Sequence, residues 1–274
     1  MFEEPDFNLI QILEERIPLI GDGGVGTLLR SFGLEERFPA IQANLEQPEL
    51  VKRMHQAYLR KGTRLIRTNS ILPKGEQWSS IENRLEALIN SASALAREVS
   101  NNRAVVAGRI TGAPEEWSAE AKYQLYGEQA VYFSDTKVDL IWLEQFTSCE
   151  ELLLALRAVR QVSAVQTVAH LSLEPGRTSL DLTEELKHLM NSGATFVGVM
   201  IDSPEFFQET LLQKLIDELG ILSLVLDLVL DQEKFPDLKE VFRKNIPSET
   251  ALICGGQNFL PDHIHDLSFM HEGR

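Results

Sequence analysis

Pro18-Leu-Ile-Gly-Asp-Gly-Gly-Val-Gly-Thr27 is the stretch from which the fold is read. A short apolar run leads into Asp22, and Gly23, Gly24 and Gly26 follow at once. A buried strand that stops at an acid and breaks into glycines leaves the acid on the lip of a sheet. There the glycines let a ligand approach the backbone closely. Taken alone, the same residues also describe a tight strand-to-helix turn.

Working outward, short runs rich in Val, Ile and Leu recur at 19–22, 64–69, 104–110, 138–144, 165–172, 195–201, 222–227 and 251–255. Runs of this kind suit parallel strands covered by helices. Helical spacing lies between them. Segment 48–61 aligns Leu50, Met54, Ala57 and Tyr58, and 80–99 aligns Ile81, Leu85, Leu88, Ile89, Ala92 and Leu95. Further helices are expected at 8–16, 150–161, 183–191, 205–219 and 237–245, with stops at Asn-Ser-Gly193 and Gly220. Alternation on this scale, without a linker, predicts an α/β protein. The expected form is a single-domain (β/α)8 barrel over 1–274. An open doubly wound sheet is the runner-up, weakened because no Gly-x-Gly-x-x-Gly follows a strand.

Composition narrows the function. The 274 residues are 43% hydrophobic and 24% charged, with a formal charge of −15. So acidic a chain is not expected to bind nucleic acid or an anionic membrane surface. Two cysteines, Cys149 and Cys254, make no disulfide framework and fit a reducing cytoplasm. No apolar run approaches the roughly 18 residues of a membrane span. The acidic start, Met-Phe-Glu-Glu-Pro-Asp6, is unlike a secretion signal, so a cytoplasmic location is expected.

Barrel chemistry sits at the C-terminal ends of the strands. Those ends carry Asp22, Arg67-Thr-Asn-Ser70, Glu144-Gln145, His170-Leu-Ser172, Met200-Ile-Asp202 and Gly255-Gly-Gln-Asn258. Two carboxylates in one mouth, Asp22 and Glu144, can hold an ammonium group by charge-assisted hydrogen bonds. Equally, each can cap a helix or meet a nearby Lys or Arg.

The segment 21–29, Gly-Asp-Gly-Gly-Val-Gly-Thr-Leu-Leu, resembles the opening strand of the homocysteine S-methyltransferase family. Arg67-Thr-Asn-Ser70 is similar to that family's Glu-Thr-Asn-Thr, with Arg in place of Glu. The segment from Val138 to Ser148 resembles its fourth strand, with Glu144 at the acid that contacts the substrate's amino end. Gly193-Ala-Thr-Phe-Val-Gly-Val199 and Gly255-Gly-Gln-Asn-Phe-Leu-Pro-Asp-His-Ile264 resemble its sixth and last strands. The resemblance implies a substrate-binding set of Asp22, Gly23, Gly24, Asn69 and Glu144.

The family's three zinc-binding cysteines, however, correspond to Ile201, Gln257 and Asn258. Ile cannot coordinate, and neutral amides suit hard cations better than zinc. Asp202, Cys149, Cys254, His263, His265 and His271 offer no replacement set. No metal or cofactor is therefore expected, and no catalytic residue is singled out. The resemblance then implies a non-catalytic or altered homologue. Its expected partner is a small amino acid such as homocysteine, or a methyl-transfer partner protein. The alternatives are a metal-free methyltransferase or other barrel enzyme using a polar mouth (Asp22, Asn69, Glu144, Asp202, Gln257, Asn258), or a purely structural or interaction module. In the barrel reading, Asp22, Asn69, Glu144, Ile201 and Gln257 should converge at one end.

Overall fold

Val, Ile and Leu extend readily because branched side chains pack well on a pleated surface. In the computed structural model, which describes residues 19–73, 75–172, 179–201, 209–220, 222–226, 244, 246 and 250–267, eight such runs pair in parallel. They are β1 (Leu19–Ile20), β2 (Leu65–Arg67), β3 (Val105–Thr111), β4 (Leu140–Phe146), β5 (Gln166–Ser172), β6 (Phe196–Ile201), β7 (Leu222–Leu226) and β8 (Thr250–Gly255). One sheet holds them in the order β1-β8-β7-β6-β5-β4-β3-β2. The two ends of that order also touch. The Arg64 N–H donates to the Ile20 carbonyl at 2.8 Å, and the Asp22 N–H donates to the Leu65 carbonyl at 3.0 Å. Gly21 and Leu65 form a parallel bridge between them.

The helices are α1 (Val25–Ser31), α2 (Ala43–Glu46), α3 (Pro48–Leu59), α4 (Leu85–Ser100), α5 (Ala119–Asp135), α6 (Cys149–Val162), α7 (Ser179–Asn191), α8 (Glu209–Leu219) and α9 (Pro261–Leu267). Caps fix two of their starts. The Ser118 and Ser148 side chains accept from the backbone N–H of Ala121 and Glu151, satisfying donors that the first helical turn leaves free. None of the helices among the described residues is long and apolar enough to cross a membrane.

Period-two alternation sorts the strand residues into two apolar layers. Leu19, Leu65, Val105, Ala107, Leu140, Trp142, Val168, Phe196, Leu252 and Cys254 form an inner cluster. Ile20, Ile66, Val106, Ile141, Leu143, Val197, Val199 and Ile253 pack instead with helix residues such as Met54, Leu88, Phe133 and Leu156. The inner cluster lies below the site.

Several boundaries differ from expectation. The segment before β4 is a 17-residue helix, α5, although its sequence shows no clear apolar stripe. Lys122 and Gln129 lie on its buried face beside Leu125, Tyr126 and Phe133, which blurs the period. Expected helix 80–99 opens with 3-10 turns at Gly75–Ser80 and Glu82–Arg84 before α4 begins. The expected helix at 8–16, that at 237–245 apart from Lys244, the seventh strand beyond Leu226, Asp202 and His271 lie outside the described residues.

Candidate functional site

Arg67 ends β2 on the inner face, two residues beyond Leu65, and is 1% exposed. An arginine so placed must find all its partners inside the protein. Its Nε donates to Asp22 Oδ1 at 2.8 Å and its Nη1 to Glu144 Oε2 at 2.5 Å. Its Nη2 donates to the Asp22 carbonyl at 3.0 Å and also meets the Gly255 carbonyl. The Arg67 backbone N–H takes up the remaining Asp22 oxygen, Oδ2, at 3.0 Å. The guanidinium carbon stands 5.7 Å from the centre of the Trp142 ring.

A second arginine stands beside it. Arg109, on β3, is 2% exposed, with Nε 3.2 Å from Glu144 Oε1 and Nη2 3.8 Å from Asp22 Oδ1. Neither of these nitrogens makes a hydrogen bond. Hydroxyls hold the two strands in register there. Thr68 and Ser70 share a 2.7 Å bond, Ser70 donates to the Arg109 carbonyl, and Thr68 accepts from the Arg109 N–H.

Two acids and two arginines are thus sealed together, and their environments differ. Burial pushes the Asp22 carboxyl above its ordinary value despite Arg67 and Arg109. Burial acts on Glu144 in the same sense, but Arg109 and Arg67 outweigh it and hold that carboxyl low. For Arg109, burial and the charge of Arg67 both work against the cation. Cys254, within β8, is pushed up to about 12 by burial, so it stays a thiol rather than a nucleophile.

Above the four charges lies a cavity of about 540 Å³. Arg67, Arg109 and Glu144 line its base; Val25, Leu72 and Met200 supply apolar wall. Gln145 also lines it, from a left-handed backbone with φ of 63°, where β4 slips its pairing with β5 between Leu143 and Phe146. A local irregularity of this kind re-aims one side chain at a sheet rim.

The expected site residues separate on this geometry. Glu144, Asn69, Gly23, Gly24 and Gln257 all line the cavity. Asp22 is 0% exposed and lies beneath Arg67 rather than on the lining. Asn69 acts as a clip, donating from Nδ2 to the Ala40 carbonyl at 2.7 Å and to Asn44 Oδ1 at 3.1 Å. At Gly23 and Gly24 the close approach is made by the chain itself. A Cβ there would collide with the carbonyls of Phe259 and Gln257. Gly24 donates its N–H to the Phe259 carbonyl at 2.7 Å, and Tyr58 Oη reaches that carbonyl at 2.9 Å.

Two further facts place the chain among known proteins. The protein-family model described as homocysteine S-methyltransferase matches residues 19–245. The chain belongs to the homocysteine S-methyltransferase family. It is 28% identical over 204 residues to betaine–homocysteine S-methyltransferase 1 of Xenopus tropicalis, covering 70% of this chain and 50% of that protein. It is 27% identical over 198 residues to S-methylmethionine–homocysteine S-methyltransferase of Pongo abelii, covering 70% and 53%. The chain therefore spans about half the length of the curated relatives it matches. Among solved structures, the metallated homocysteine methyltransferase MmuM from Escherichia coli superposes with a TM-score of 0.79. Sequence identity there is 20%, over 95% of this chain and 99% of that one. The shared fold is α/β with a parallel sheet.

The positions that the family resemblance marks for zinc do not meet at the mouth. Ile201 is fully buried in the layer that packs against the helices. Its neighbour Met200 packs against the inner cluster and lines the cavity. This corrects the expectation that Ile201 joins Asp22, Asn69, Glu144 and Gln257. Parity along β6 explains it: Phe196 and Met200 share the inner face, while Val197, Val199 and Ile201 share the outer one. Gln257 and Asn258 are exposed on the turn after β8, and only Gln257 lines the cavity. Among the described residues, no three His, Cys, Asp or Glu side chains are placed to hold a metal ion.

Arg109 is the site residue that the sequence does not single out; Gln145 and Met200 stand among the strand-end residues named above without a role, and the pairing of Arg67 with the acids appears only in the structure. A lone arginine in Val105-Val-Ala-Gly-Arg-Ile-Thr111 was the available signal, since a charge in an otherwise buried strand requires an internal partner.

Proposed function

We propose that this chain is a one-domain (β/α)8 member of the homocysteine S-methyltransferase family that does not carry out zinc-dependent methyl transfer to homocysteine. In this reading it binds a small molecule at the mouth of the barrel, alone or as a subunit that receives a methyl-transfer partner protein. The observation that carries the proposal is Arg67. It engages both carboxylates of the expected substrate-binding set, Asp22 and Glu144, of which the family resemblance places Glu144 at the substrate's amino end. All four oxygens of Asp22 and Glu144 face a guanidinium or the Arg67 N–H, so an incoming ammonium would have to displace an arginine.

The residues present do not fit a zinc ion either, with Ile201 turned toward the helices and Gln257 and Asn258 exposed as neutral amides. An alkyl thiol has a pKa near 8.5, so without a metal most homocysteine stays protonated at neutral pH and attacks a methyl donor poorly. The alternative of metal-free methyl transfer is less favoured, because the same ion pairs occupy the acids that would serve as bases.

The test is direct. The purified protein, supplied with zinc, homocysteine and either betaine or S-methylmethionine, should form no methionine above the protein-free rate. Metal analysis of the same sample should find well under one zinc per chain. Sustained methionine formation would overturn the proposal.

A further inference from the structure

We propose that the cavity above the four buried charges is a binding site for a small neutral carboxamide. This rests on the reading of the mouth given above and names the class of its ligand. Arg109 Nε and Nη2 are sealed and turned toward Glu144 and Asp22. Three other atoms are not sealed and make no hydrogen bond: Arg109 Nη1, Glu144 Oε1 and Asn69 Oδ1. All three residues line the cavity. Asn69 is 1% exposed, and its Nδ2 is spent on the Ala40 carbonyl and Asn44 Oδ1. Those two bonds fix the amide and leave Oδ1 as an acceptor toward the open space. Arg109 and Arg67 hold the Glu144 carboxyl low, so its Oε1 also acts as an acceptor only.

A ligand must therefore accept beside Arg109 and donate beside Glu144, whose Nε and Oε1 stand 3.2 Å apart. A primary amide does both within one planar group. Its oxygen accepts from Nη1, and its N–H groups donate to Glu144 Oε1 or Asn69 Oδ1. The bonds to Arg109 and Glu144 are charge-assisted. A carboxylate of the same shape sets an anionic oxygen against Glu144, and an ammonium sets a cation against Arg109. Either one also displaces cavity water without replacing its hydrogen bonds, the loss by which polar sites discriminate hardest. Val25, Leu72 and Met200 offer wall for a short apolar chain, and about 540 Å³ gives it room. At the rim, Gln145 lines the cavity from a left-handed backbone with φ of 63°, a strained conformation of the kind that clusters at ligand sites.

The experiment uses the full chain and three probes of one shape, butyramide, butyrate and butylamine, with glycerol as a neutral polyol. Ligand-observed NMR titration at neutral pH should give butyramide at least tenfold tighter binding than any of the other three. Glu144→Gln exchanges an anionic acceptor for an amide that can donate, and should raise butyrate affinity at least tenfold. Loss of structure does not produce such a gain. Should that variant fail to fold, Met200→Trp fills the cavity from its apolar wall and should abolish butyramide binding by itself. Butyrate, butylamine or glycerol binding as tightly as butyramide, no butyramide binding at tens of millimolar, or no gain for butyrate in folded Glu144→Gln would each overturn the inference. The methyl-transfer assay separates the two readings. Methionine formation removes the functional proposal whatever butyramide does, and butyramide failure without methionine formation removes this inference alone.

Discussion

The interior of the sheet has two ends with opposite chemistry, built on the same strands. At one end Leu65, Val105 and Leu140 pack with Leu19, Phe196 and Leu252. Further along β2, β3 and β4, on the same face, stand Arg67, Arg109 and Glu144, with Asp22 among them. Both ends are buried, although a cavity opens above the charged one. In the apolar end any side chain of the right volume serves. In the charged end each group is tolerable only because the others are there, so identity replaces volume as the constraint.

That contrast can be broken most severely at Arg67. Arg67→Met leaves Asp22 and Glu144 buried with only Arg109 and should cost about 3–5 kcal/mol in chemical denaturation. Adding Asp22→Asn and Glu144→Gln should recover much of that loss, a non-additivity that a mutant cycle measures directly. A purely additive outcome would mean the four groups do not act as a unit.

A buried group with no partner provides the next comparison. His55, on α3, is fully buried, and neither ring nitrogen has a hydrogen bond. Burial, aided by the charge of Arg109, lowers its pKa to about 3. The unfolded chain therefore takes up a proton near pH 6.5 that the folded chain refuses until about 3. The resulting stability is present above pH 6.5 and is lost as pH falls. Between pH 7 and 5 this residue should account for about 2 kcal/mol. Denaturation midpoints of the parent and His55→Leu at the two pH values should diverge by that amount.

A conservative exchange in the apolar end should do less. Leu65→Met is expected to cost under about 1.5 kcal/mol, because a flexible side chain of similar volume refills the space. The smallest effect tests the rim. Tyr58→Phe removes one hydrogen bond to the Phe259 carbonyl and should cost about 1 kcal/mol in the same denaturation series.

Much of the sheet was legible because buried parallel strands announce themselves as short apolar runs, and their ends bring Asp22 and Glu144 to one cluster, although Asp22 lies beneath Arg67 rather than on the cavity lining. What failed had physical causes. Motif matching set Ile201 at the mouth, whereas counting by twos from Phe196 gives that face to Met200. Arg67 was visible as a substitution, yet its effect depends on Asp22 and Glu144, which lie 45 and 77 positions away. The helix α5 escaped because polar Lys122 and Gln129 are buried on its inner side.

Arg67 has a consequence for time as well as for charge. Its guanidinium fastens β2 to the Gly255 carbonyl, 188 positions along the chain, so it joins the beginning of the sheet to its end. Contacts between such distant residues are slow to form in folding. An interaction completed only after the rate-limiting step leaves the folding rate alone and governs how fast the native state is lost. Arg67→Lys should accordingly hasten unfolding in stopped-flow measurements while refolding barely changes. The residue that ties up both buried acids would then also set the lifetime of the folded molecule.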